Sequence, residues 1–425
     1  MYGAGTVGQF KKSLIISADG GAGDNWWSGG IYYFDPKIGL KAISPIDGWV
    51  GNFYDYVSEK LNLSPGGAGK LMGLASYGKP IYFSEKLIGT KKKVTNNYSI
   101  NLTDVYDNWF KQIGFTPEKI NFNKKNFPNK FISDIASSAQ LIFEKNIIKL
   151  FYSAAKLCIK NLIKYDYTIF TGGCALNCPT NTLLYNKFKN YKVAPAVNDE
   201  GLSIGAAIYG WKNENNFWPK INLSSPYLGH NFDSYIFDKF ARNSNFSAIA
   251  KNHVDICIDK ILENNVVAVV HGKSEAGPRA LGHRSIVCNA FNFENWKKVN
   301  ILKNRENWRP FAPIVLEQDL SKYFDFGPHE SNYMLFNYRV LTKLFPAVTH
   351  FDHSARVQTV KKEPKPFKIL LENLKKKSLP PVLLNTSLNG RNEPIAETEK
   401  HIIDAVNKLK INYIFTEKIF YTREI

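Results

Sequence analysis

Apolar positions in the first part of the chain form short runs and one long, helically spaced segment. SLIISADGGAGD (13–24) predicts a buried strand that ends in a glycine-rich turn, and GGIYYFD (29–35) predicts the strand that returns from it. Residues 132–164 place apolar side chains at helical spacing, which predicts one long helix or two, with Ser133 or Asp134 as the N-cap. This succession of strands and helices favours an α/β fold.

Two later segments repeat the order of apolar run, glycine turn and helix. YTIFTGGCALN (167–177) predicts a strand, a Gly-Gly turn and the beginning of a helix. VNDEGLSIGAAIYGW (197–211) predicts a turn followed by a helix of small residues, which can pack close to a neighbour. Turns of this kind at strand ends are common places for binding sites in α/β proteins.

The chain of 425 residues is too long for one ordinary hydrophobic core, so we expect more than one domain. A polar stretch broken by prolines, at about 212–232, indicates a boundary. The second block opens with a helix at about 251–264 and the strand NNVVAVVHG, and PVLLN predicts a later strand. We therefore predict two domains, at 1–215 and 225–425.

Composition excludes several classes of protein. No apolar run reaches the roughly 18 residues that a membrane span needs. The first residues lack the basic and apolar regions of a secretory signal, and the five cysteines include no Cys-x-x-Cys pair. We therefore expect a cytoplasmic protein in which Cys174 and Cys178 are small buried hydrophobic residues.

The formal net charge of +18 raises the question of a polyanionic partner. Lysine runs at 91–93, 361–362 and 375–377 have the charge to neutralise phosphates of a nucleic acid or a membrane surface. The lysines are nevertheless spread along the whole chain, so we interpret the runs as solvated faces and consider a nucleic-acid partner unlikely.

Three glycine-containing turns follow predicted strands, at 19–24, 171–173 and 198–201. Glycine allows backbone N–H groups to approach phosphate oxygens, and a helix N-terminus beyond the turn adds a favourable dipole. Asp19 and Asp199 strengthen this interpretation, because carboxylates at such turns bind metal ions that bridge phosphates. The alternative is a tight turn without a ligand, with each aspartate in an Asx-turn or a helix cap.

Arginines are concentrated in turn-rich segments of the second block. They are Arg279, Arg284, Arg305, Arg309, Arg356 and Arg391. Guanidinium groups bind phosphate through two hydrogen bonds and stay charged, and Asn385 and Asn389 are suited to a planar amide or a ribose. The alternative is a set of salt bridges to Glu275, Glu306 and Glu393, which accounts for Arg305 and Arg391 better than for the others. We therefore predict a phosphate pocket.

Eight motifs together resemble one family. EAGPRALGHRS, NRENWRPFAP, PAVTHFDHSARVQTV and LLNTSLNGRNEPI resemble, in this order, the C-terminal domain of the nodulation-type O-carbamoyltransferases. SADGGAGD, GGAGKLMGLASYGKP, FTGGCALNC and NDEGLSIGAA resemble the N-terminal domain of the same family. The resemblance implies an actin/sugar-kinase-type ATPase fold for the first domain and a YrdC-like α/β fold for the second.

The resemblance also implies a two-step reaction. Carbamoyl phosphate and ATP form carbamoyl adenylate and pyrophosphate in the C-terminal domain, and the N-terminal domain transfers the carbamoyl group to a hydroxyl of an acceptor. A pocket of fixed positive charge stabilises developing negative charge and excludes water. By analogy alone, we expect the acceptor to be a sugar, as in a surface polysaccharide, or a secondary metabolite.

The family's functional positions map onto this sequence as follows. Matching residues for the carbamoyl phosphate and nucleotide pocket are Arg279, Arg309, Arg356 and Asn385, with Lys273, His283, Arg284 and Asn389 as second choices. Those for nucleotide contacts in the first domain are Gly172, Gly173 and Asn177, with Lys70 and Gly73 nearby. Asp19 and Asp199 match the metal ligands, and the resemblance implies a divalent metal, Fe(II), beside ATP.

The sequence departs from the family before the first Asp-Gly turn. Family members carry there a subdomain with two histidines on one helix face, which complete the metal site, whereas this chain has no histidine before His230. We therefore expect a truncated first domain, from a split, truncated or mis-started gene, or a partner chain that supplies the lobe. Exposed hydrophobic surface is expected where that lobe packs.

Two other functions stay open. The chain is an inactive nucleotide-binding remnant or a subunit of a split enzyme if it releases no pyrophosphate from carbamoyl phosphate and ATP. It is a tRNA threonylcarbamoyl transferase, from a family with related folds, if it binds tRNA with an affinity that falls steeply with salt.

Overall fold

The computed structural model describes residues 8–20, 28–46, 50–63, 67–89, 102–116, 128–219 and 225–423. The chain divides into two compact units, residues 1–224 and residues 225–425. Both units combine helices with sheets, as the α/β prediction requires.

The first unit is built on one five-stranded sheet. Its strands are β1 (Ser13–Ala18), β2 (Gly29–Asp35), β3 (Gly39–Pro45), β4 (Tyr167–Thr171) and β5 (Tyr191–Val193). Its helices are α1 (Val50–Lys60), α2 (Gly67–Ala75), α3 (Leu102–Gln112), α4 (Lys130–Lys160), α5 (Cys178–Lys187) and α6 (Glu200–Asn215). The strand order is β3-β2-β1-β4-β5, in which β1, β4 and β5 are parallel and β2 is antiparallel to β1 and β3. Because parallel strands end at the same edge, the turns after β1, β4 and β5 meet there.

The long helically spaced segment is a single helix, α4, of 31 residues. Asn129 is its N-cap, since its side chain accepts a hydrogen bond from the backbone N–H of Ile132. The prediction of Ser133 or Asp134 as the cap is therefore wrong. Asp134 is buried within the helix because its carboxylate accepts hydrogen bonds from the Lys79 backbone N–H at 2.7 Å and from the Lys130 ammonium at 2.6 Å. These tertiary partners occupy the oxygens that a cap would use.

Helix α6 leaves large apolar side chains on the surface of the first unit. Ile208 is its one buried residue, whereas Leu202 is 69% exposed and Trp211 is 46% exposed. Exposed hydrophobic surface of this kind commonly marks a protein contact. The sequence predicts such a surface in this domain, and what covers it stays a prediction.

The second unit contains an eight-stranded sheet. The strands of the unit are β6 (Tyr227–Asn231), β7 (Ser247–Ile249), β8 (Val267–Val270), β9 (Lys273–Glu275), β10 (Arg284–Asn289), β11 (Ala312–Leu316), β12 (Phe324–Asp325), β13 (Asn337–Val340), β14 (Ser354–Arg356), β15 (Gln358–Val360), β16 (Val382–Ser387), β17 (Tyr413–Phe415) and β18 (Phe420–Thr422). The large sheet has the order β15-β11-β16-β10-β8-β17-β18-β7, and smaller sheets join β12-β13-β14 and β6-β9. Its helices are α7 (Ser234–Asn243), α8 (His253–Leu262), α9 (Phe293–Leu302), α10 (Leu320–Tyr323), α11 (Lys365–Lys376) and α12 (Glu399–Lys408).

Both faces of the large sheet are buried. Val267 and Val269 of β8 join one apolar cluster, with side chains from α8 and α11. Ala268 and Val270 join the cluster on the opposite face, with side chains from α7, α9 and α12. Strands covered on both faces read as continuous apolar runs, which explains the pattern of NNVVAVVHG. The strand ends are therefore where polar side chains are brought together.

The lysine runs that the structure describes form surface ion pairs. Lys361 lies 2.8 Å from Glu317, Lys375 lies 2.7 Å from Asp319, and Lys377 lies 3.2 Å from Asp259. The run at 91–93 lies outside the described residues. These pairings agree with the interpretation of the lysines as solvated faces. No helix in the described part of the chain is long and apolar enough to cross a membrane.

Candidate functional site

Asn385 marks the centre of the polar edge of the large sheet. It lies on β16 opposite Val287 of β10 and Ala312 of β11. Its Nδ2 donates to the Ala280 carbonyl at 3.1 Å and to Gln358 Oε1 at 3.2 Å. Its Oδ1 is buried and has no hydrogen-bond partner. An unsatisfied buried acceptor costs stability, so this atom indicates a site for a ligand donor.

The loop at 276–283 is bound to the same edge. Gln358, on β15, donates from Nε2 to the Leu281 carbonyl at 2.8 Å, and the Ala280 carbonyl accepts the bond from Asn385. Arg279, which directly precedes Ala280, is half-buried in this loop. The structure thus brings two predicted pocket residues, Arg279 and Asn385, to one place.

A cluster of basic side chains lies at the entry to β11. It consists of Lys303, Arg305, Arg309, Arg356 and Arg391, and we call it the cation cluster. Burial lowers the pKa of Arg309, Glu306 opposes this, and the charges of Arg356 and Arg391 lower it further. Burial and the charge of Arg309 likewise lower the pKa of Arg305. These groups repel one another in a poorly solvated place, which favours the binding of an anion.

Salt bridges account for only part of this cluster. Among the described residues, neither Arg305 nor Arg391 forms an ion pair, so the prediction that salt bridges account for these two arginines is wrong. Glu393 instead pairs with Lys408 and accepts from the Gly390 backbone N–H.

Two acidic side chains lie beside the cation cluster or the 276–283 loop. Glu306 lies 3.7 Å from Arg309. Glu275 Oε1 accepts backbone N–H groups, from Leu281 at 2.7 Å and His283 at 2.8 Å. The Nε of Arg356 is buried without a hydrogen-bond partner. The predicted residues Arg309 and Arg356 therefore lie in one positively charged cluster, in which the Arg356 Nε has no hydrogen-bond partner.

The sequence interpretation missed Lys303. It is 5% exposed, and its ammonium donates to the Ser387 carbonyl and, at 2.8 Å, to Asn389 Oδ1. Burial lowers its pKa well below the usual value, and the charges of Arg305 and Arg309 add to this. In a lysine-rich sequence nothing distinguishes this lysine from the exposed ones, and only its burial identifies it.

Two of the second-choice residues use their hydrogen bonds within the protein. Arg284 is fully buried and donates to the backbone carbonyls of His271 at 2.6 Å, Glu397 at 3.0 Å and His230 at 3.2 Å, among others. Asn389 donates to the Glu393 carbonyl at 2.6 Å and accepts from Lys303. Both side chains therefore connect segments of the fold, which explains their place in the motifs without a ligand.

The other two second choices are Lys273, which precedes the 276–283 loop, and His283, which ends it. Lys273 is exposed, and its carbonyl oxygen lies 2.6 Å from His283 Nδ1. His283 is 5% exposed and stacks on Tyr227, with ring centroids 3.6 Å apart. His283 does not contact the cation cluster through any hydrogen bond that the described residues form.

In the first unit, Asp19 joins the ends of β1 and β4. Its Oδ1 accepts from the Gly20 backbone N–H at 2.8 Å and its Oδ2 from the Gly173 backbone N–H at 2.7 Å. Gly172 has φ +89°, and a Cβ there would lie 2.1 Å from the Ala18 carbonyl oxygen. Its backbone N–H donates to the Val197 carbonyl at 2.7 Å, so the third glycine turn is held beside it. Asp19 and Gly20, the described part of the first predicted turn, therefore lie beside the other two turns, and residues 21–24 lie outside the described residues.

Asp55 of α1 is a second carboxylate beside Asp19, and the sequence interpretation missed it. Loss of solvation raises the pKa of Asp55, and the negative charge of Asp19 raises it further. A Cβ on Gly20 would lie 2.8 Å from Asp55 Oδ2, so the acid lies directly over the turn. No motif indicates this residue, because only the packing of α1 brings it there.

Asp199 occupies the N-cap position of α6, but its exposed side chain makes no capping hydrogen bond. Among the described residues, no group of three metal-ligating side chains gathers around Asp19 or Asp199. The nearby donors, Asp19 and Asp55, are carboxylates and the chain has no imidazole before His230. Carboxylate oxygens suit a hard cation such as Mg²⁺, and these residues alone do not form the mixed imidazole and carboxylate site that Fe(II) prefers.

The other predicted nucleotide contacts have internal roles. Asn177 is buried and caps α5, because its Oδ1 accepts from the Thr180 backbone N–H at 3.2 Å, and its Nδ2 donates to Gln140 Oε1 at 3.0 Å. Lys70 is half-buried on α2, and the carbonyl of Gly73 accepts the Ser76 hydroxyl at 2.8 Å. The structure does not bring Asn177, Lys70 and Gly73 into the edge formed by Asp19 and Gly173 through any bond that it describes.

Two family models match the chain. One, described as carbamoyltransferase N-terminus, matches residues 11–208, and the other, described as carbamoyltransferase C-terminus, matches residues 258–423. The chain belongs to the carbamoyltransferase family. The resemblance inferred from the eight motifs is thereby confirmed, and membership of this family supports transferase activity.

Named relatives agree with this assignment. The nodulation protein NolO of Bradyrhizobium diazoefficiens is 29% identical over 415 residues, which cover 92% of this chain and 71% of that protein. The 3'-hydroxymethylcephem-O-carbamoyltransferase of Streptomyces clavuligerus is 30% identical over 335 residues, which cover 76% of this chain and 58% of that enzyme.

Solved structures show a weaker likeness. Full-length HypF, in its phosphate- and nucleotide-bound form, matches 42% of this chain and 23% of that one, with 14% identity and a TM-score of 0.29.

Proposed function

We propose that this chain is an O-carbamoyltransferase that forms carbamoyl adenylate from carbamoyl phosphate and ATP and transfers the carbamoyl group to a hydroxyl. The observation that carries the proposal is the cation cluster, beside which Arg356 Nε and Asn385 Oδ1 are buried without partners. An anion rich in oxygen, with an amide-like end, matches this combination of donors and one acceptor. Carbamoyl phosphate has this chemistry.

The atoms of the first step balance if water takes part. Water cleaves carbamoyl phosphate to carbamate and phosphate, and a carbamate oxygen then attacks the α-phosphorus of ATP and expels pyrophosphate. Arg309 and Arg356 hold the phosphate groups, and Asn385 Oδ1 accepts a hydrogen bond from the carbamoyl NH₂. Enclosure by the 276–283 loop limits the loss of the reactive anhydride to bulk water.

In the second step, the first unit directs the carbamoyl group to the acceptor hydroxyl. The turns at Asp19, Gly172 and Gly173 meet at one edge of the sheet, where Asp19 and Asp55 carry carboxylates. A divalent cation held by Asp19 and Asp199, with Asp55 nearby, would supply charge compensation for the nucleotide phosphates. The acceptor hydroxyl loses its proton as its oxygen bonds to the carbamoyl carbon, and AMP leaves. We propose a sugar or a secondary metabolite as the acceptor class.

The topology supports the finer fold assignment that we propose. In the first unit, a central parallel strand flanked by an antiparallel β2–β3 pair, in the order β3-β2-β1-β4-β5, is suited to an actin/sugar-kinase-type ATPase fold. For the second unit we propose the YrdC-like fold, because its large, mostly antiparallel sheet pairs Asn385 with Ala312 at the start of β11, the strand that follows Arg309.

Pyrophosphate release from carbamoyl phosphate and ATP tests the first step. We expect release by the wild-type chain, with one phosphate for each pyrophosphate, and a loss of about 10²–10³-fold in kcat/KM for Arg356→Gln. Arg242→Gln, which changes an exposed arginine paired with Asp238, is the matched control and leaves the rate unchanged. Equal rates in the two variants, or no release at all, would contradict the proposal.

A further inference from the structure

His283 presents a buried ring nitrogen that has no hydrogen-bond partner. Its Nδ1 lies 2.6 Å from the Lys273 carbonyl oxygen, which can only accept, so Nδ1 carries the proton and Nε2 carries a lone pair. That Nε2 is buried and unsatisfied. The side chain is 5% exposed, and stacking on Tyr227 fixes the plane of the ring. The ring therefore offers one fixed, oriented ligand atom.

A second imidazole lies against the first. The ring centroids of His271 and His283 are 4.8 Å apart, and the rings are nearly perpendicular, at 85°. His271 Nδ1 lies 3.5 Å from Glu417 Oε2, so a carboxylate faces the Nδ1 side of this ring. Both histidines thus have an acceptor on the Nδ1 side. This is the arrangement that orients metal-binding histidines in known sites.

Glu363 adds a carboxylate. Pro364, which follows it, packs on Gly282, where an added Cβ would lie 2.2 Å from Pro364 Cγ, so the absence of a side chain at residue 282 allows this approach. One ligand atom from each of His271, His283 and Glu363 lies within 4.8 Å of the others. Within the described ranges, no other group of three such side chains is this close.

We propose that His271, His283 and Glu363 bind a divalent transition-metal ion, with Zn²⁺ as the first choice. Two imidazole nitrogens and one carboxylate oxygen are a ligand set that Zn²⁺ accepts, with a water in the fourth position. Ca²⁺ and Mg²⁺ prefer oxygen ligands alone. The Lys273 carbonyl and Glu417 orient the two rings.

This site is distinct from the carboxylates of the first unit and does not depend on the proposed reaction. It joins the end of β8, the start of β10 and the chain just before α11. The 276–283 loop, which carries Arg279, leads directly into His283. The ion would therefore hold this loop against the sheet.

Zinc binding to the full chain, made metal-free, tests the site by calorimetry. To separate it from the first unit, the chain carries Asp19→Asn and Asp199→Asn in every sample. We expect one equivalent of Zn²⁺ to bind, and His271→Gln and His283→Gln to weaken it by at least about 10–100-fold. His329→Gln, at an exposed histidine elsewhere in the unit, is the matched control and keeps full affinity.

Two further measurements secure the result. Because Glu363 is exposed, Glu363→Gln keeps the fold and should weaken binding as the histidine variants do. Co²⁺ in place of Zn²⁺ should give a visible d–d band that the His283→Gln variant lacks. No binding, or equal binding in the His271, His283 and His329 variants, would overturn the proposal. None of these readouts measures carbamoyl transfer, so failure here leaves the proposed function untouched.

Discussion

Gln358 and Asn385 are hydrogen-bonded at 3.2 Å although they lie on β15 and β16, with β11 between them in the sheet. Both are buried, and Gln358 is 1% exposed. Each side chain also bonds to the loop at 276–283, through the carbonyls of Leu281 and Ala280. This pair therefore fixes the loop that carries Arg279 to the edge that carries Asn385.

Gln358→Ala should loosen the loop. We expect a fall in unfolding free energy of about 1–3 kcal/mol, because a buried amide and a carbonyl lose their partners, and a larger rise in KM for carbamoyl phosphate than fall in kcat. Pyrophosphate release and urea unfolding measure the two effects. The double variant Gln358→Ala/Asn385→Ala should show less than the sum of the single losses. Additive losses would show that the pair does not act together.

Lys303→Met should weaken anion binding. The buried ammonium contributes charge to the cation cluster, so we expect pyrophosphate to raise the Tm of the wild-type chain and to raise that of the variant much less. The loss of a charged donor corresponds to a roughly tenfold or greater increase in Kd. Lys297→Met, on the exposed face of α9, the helix that ends just before Lys303, is the control, and its Tm shift should match the wild type. A full shift in the Lys303 variant would contradict a ligand role for the cluster.

Glu144→Gln should remove a pH dependence from the first unit. Burial raises the pKa of Glu144 from 4.5 to about 7, with Gln140 opposing the shift. The unfolded chain releases this proton more readily, so this carboxyl group makes the protein less stable as pH rises from about 4.5 to 7.

At pH 8 the neutral glutamine should therefore raise the unfolding free energy relative to wild type, by on the order of 1–3 kcal/mol. At pH 4.5 the two proteins should be nearly equal. Urea unfolding at both pH values measures the difference. Glu214→Gln, which changes an exposed residue of α6, is the control. If the difference in unfolding free energy between the two proteins were the same at both pH values, the raised pKa of Glu144 would be contradicted.

Gly172→Ala should destabilise the first unit strongly. The residue has φ +89°, and the new Cβ would lie 2.1 Å from a backbone oxygen of the neighbouring strand. We expect a loss of about 2–5 kcal/mol. Gly210→Ala is the matched control, because nothing lies within 4 Å of its added Cβ, and in the α6 helix it should stabilise by about 0.5–1 kcal/mol. Urea unfolding measures both changes, a fall in unfolding free energy for Gly172→Ala and a rise for Gly210→Ala.

Much of the fold was predictable because it depends on neighbours in sequence. The strand at 29–35 was predicted with its observed bounds, since alternating and continuous apolar runs determine which segments are buried. The N-cap of α4 was not, because Asp134 accepts a hydrogen bond from the Lys79 backbone N–H, after α2, and sequence spacing does not show this contact.

The candidate site was likewise predictable only in part. Arg279, Arg309, Arg356 and Asn385 lie in contiguous motifs, so their residue types and order could be recognised directly. Arg284 and Asn389 belong to the same motifs, yet the structure turns them towards backbone carbonyls. A motif identifies which residues occur together but not which atoms they bond.

The amino-acid sequence by itself determined the family, the two α/β units and the concentration of arginines, because local periodicity and contiguous motifs carry that information. Only the tertiary structure decided that Lys303 is buried, that Asp55 lies beside Asp19, and that His271, His283 and Glu363 converge. Each of these depends on contacts between residues far apart in the chain, and such contacts arise only when strands and helices pack.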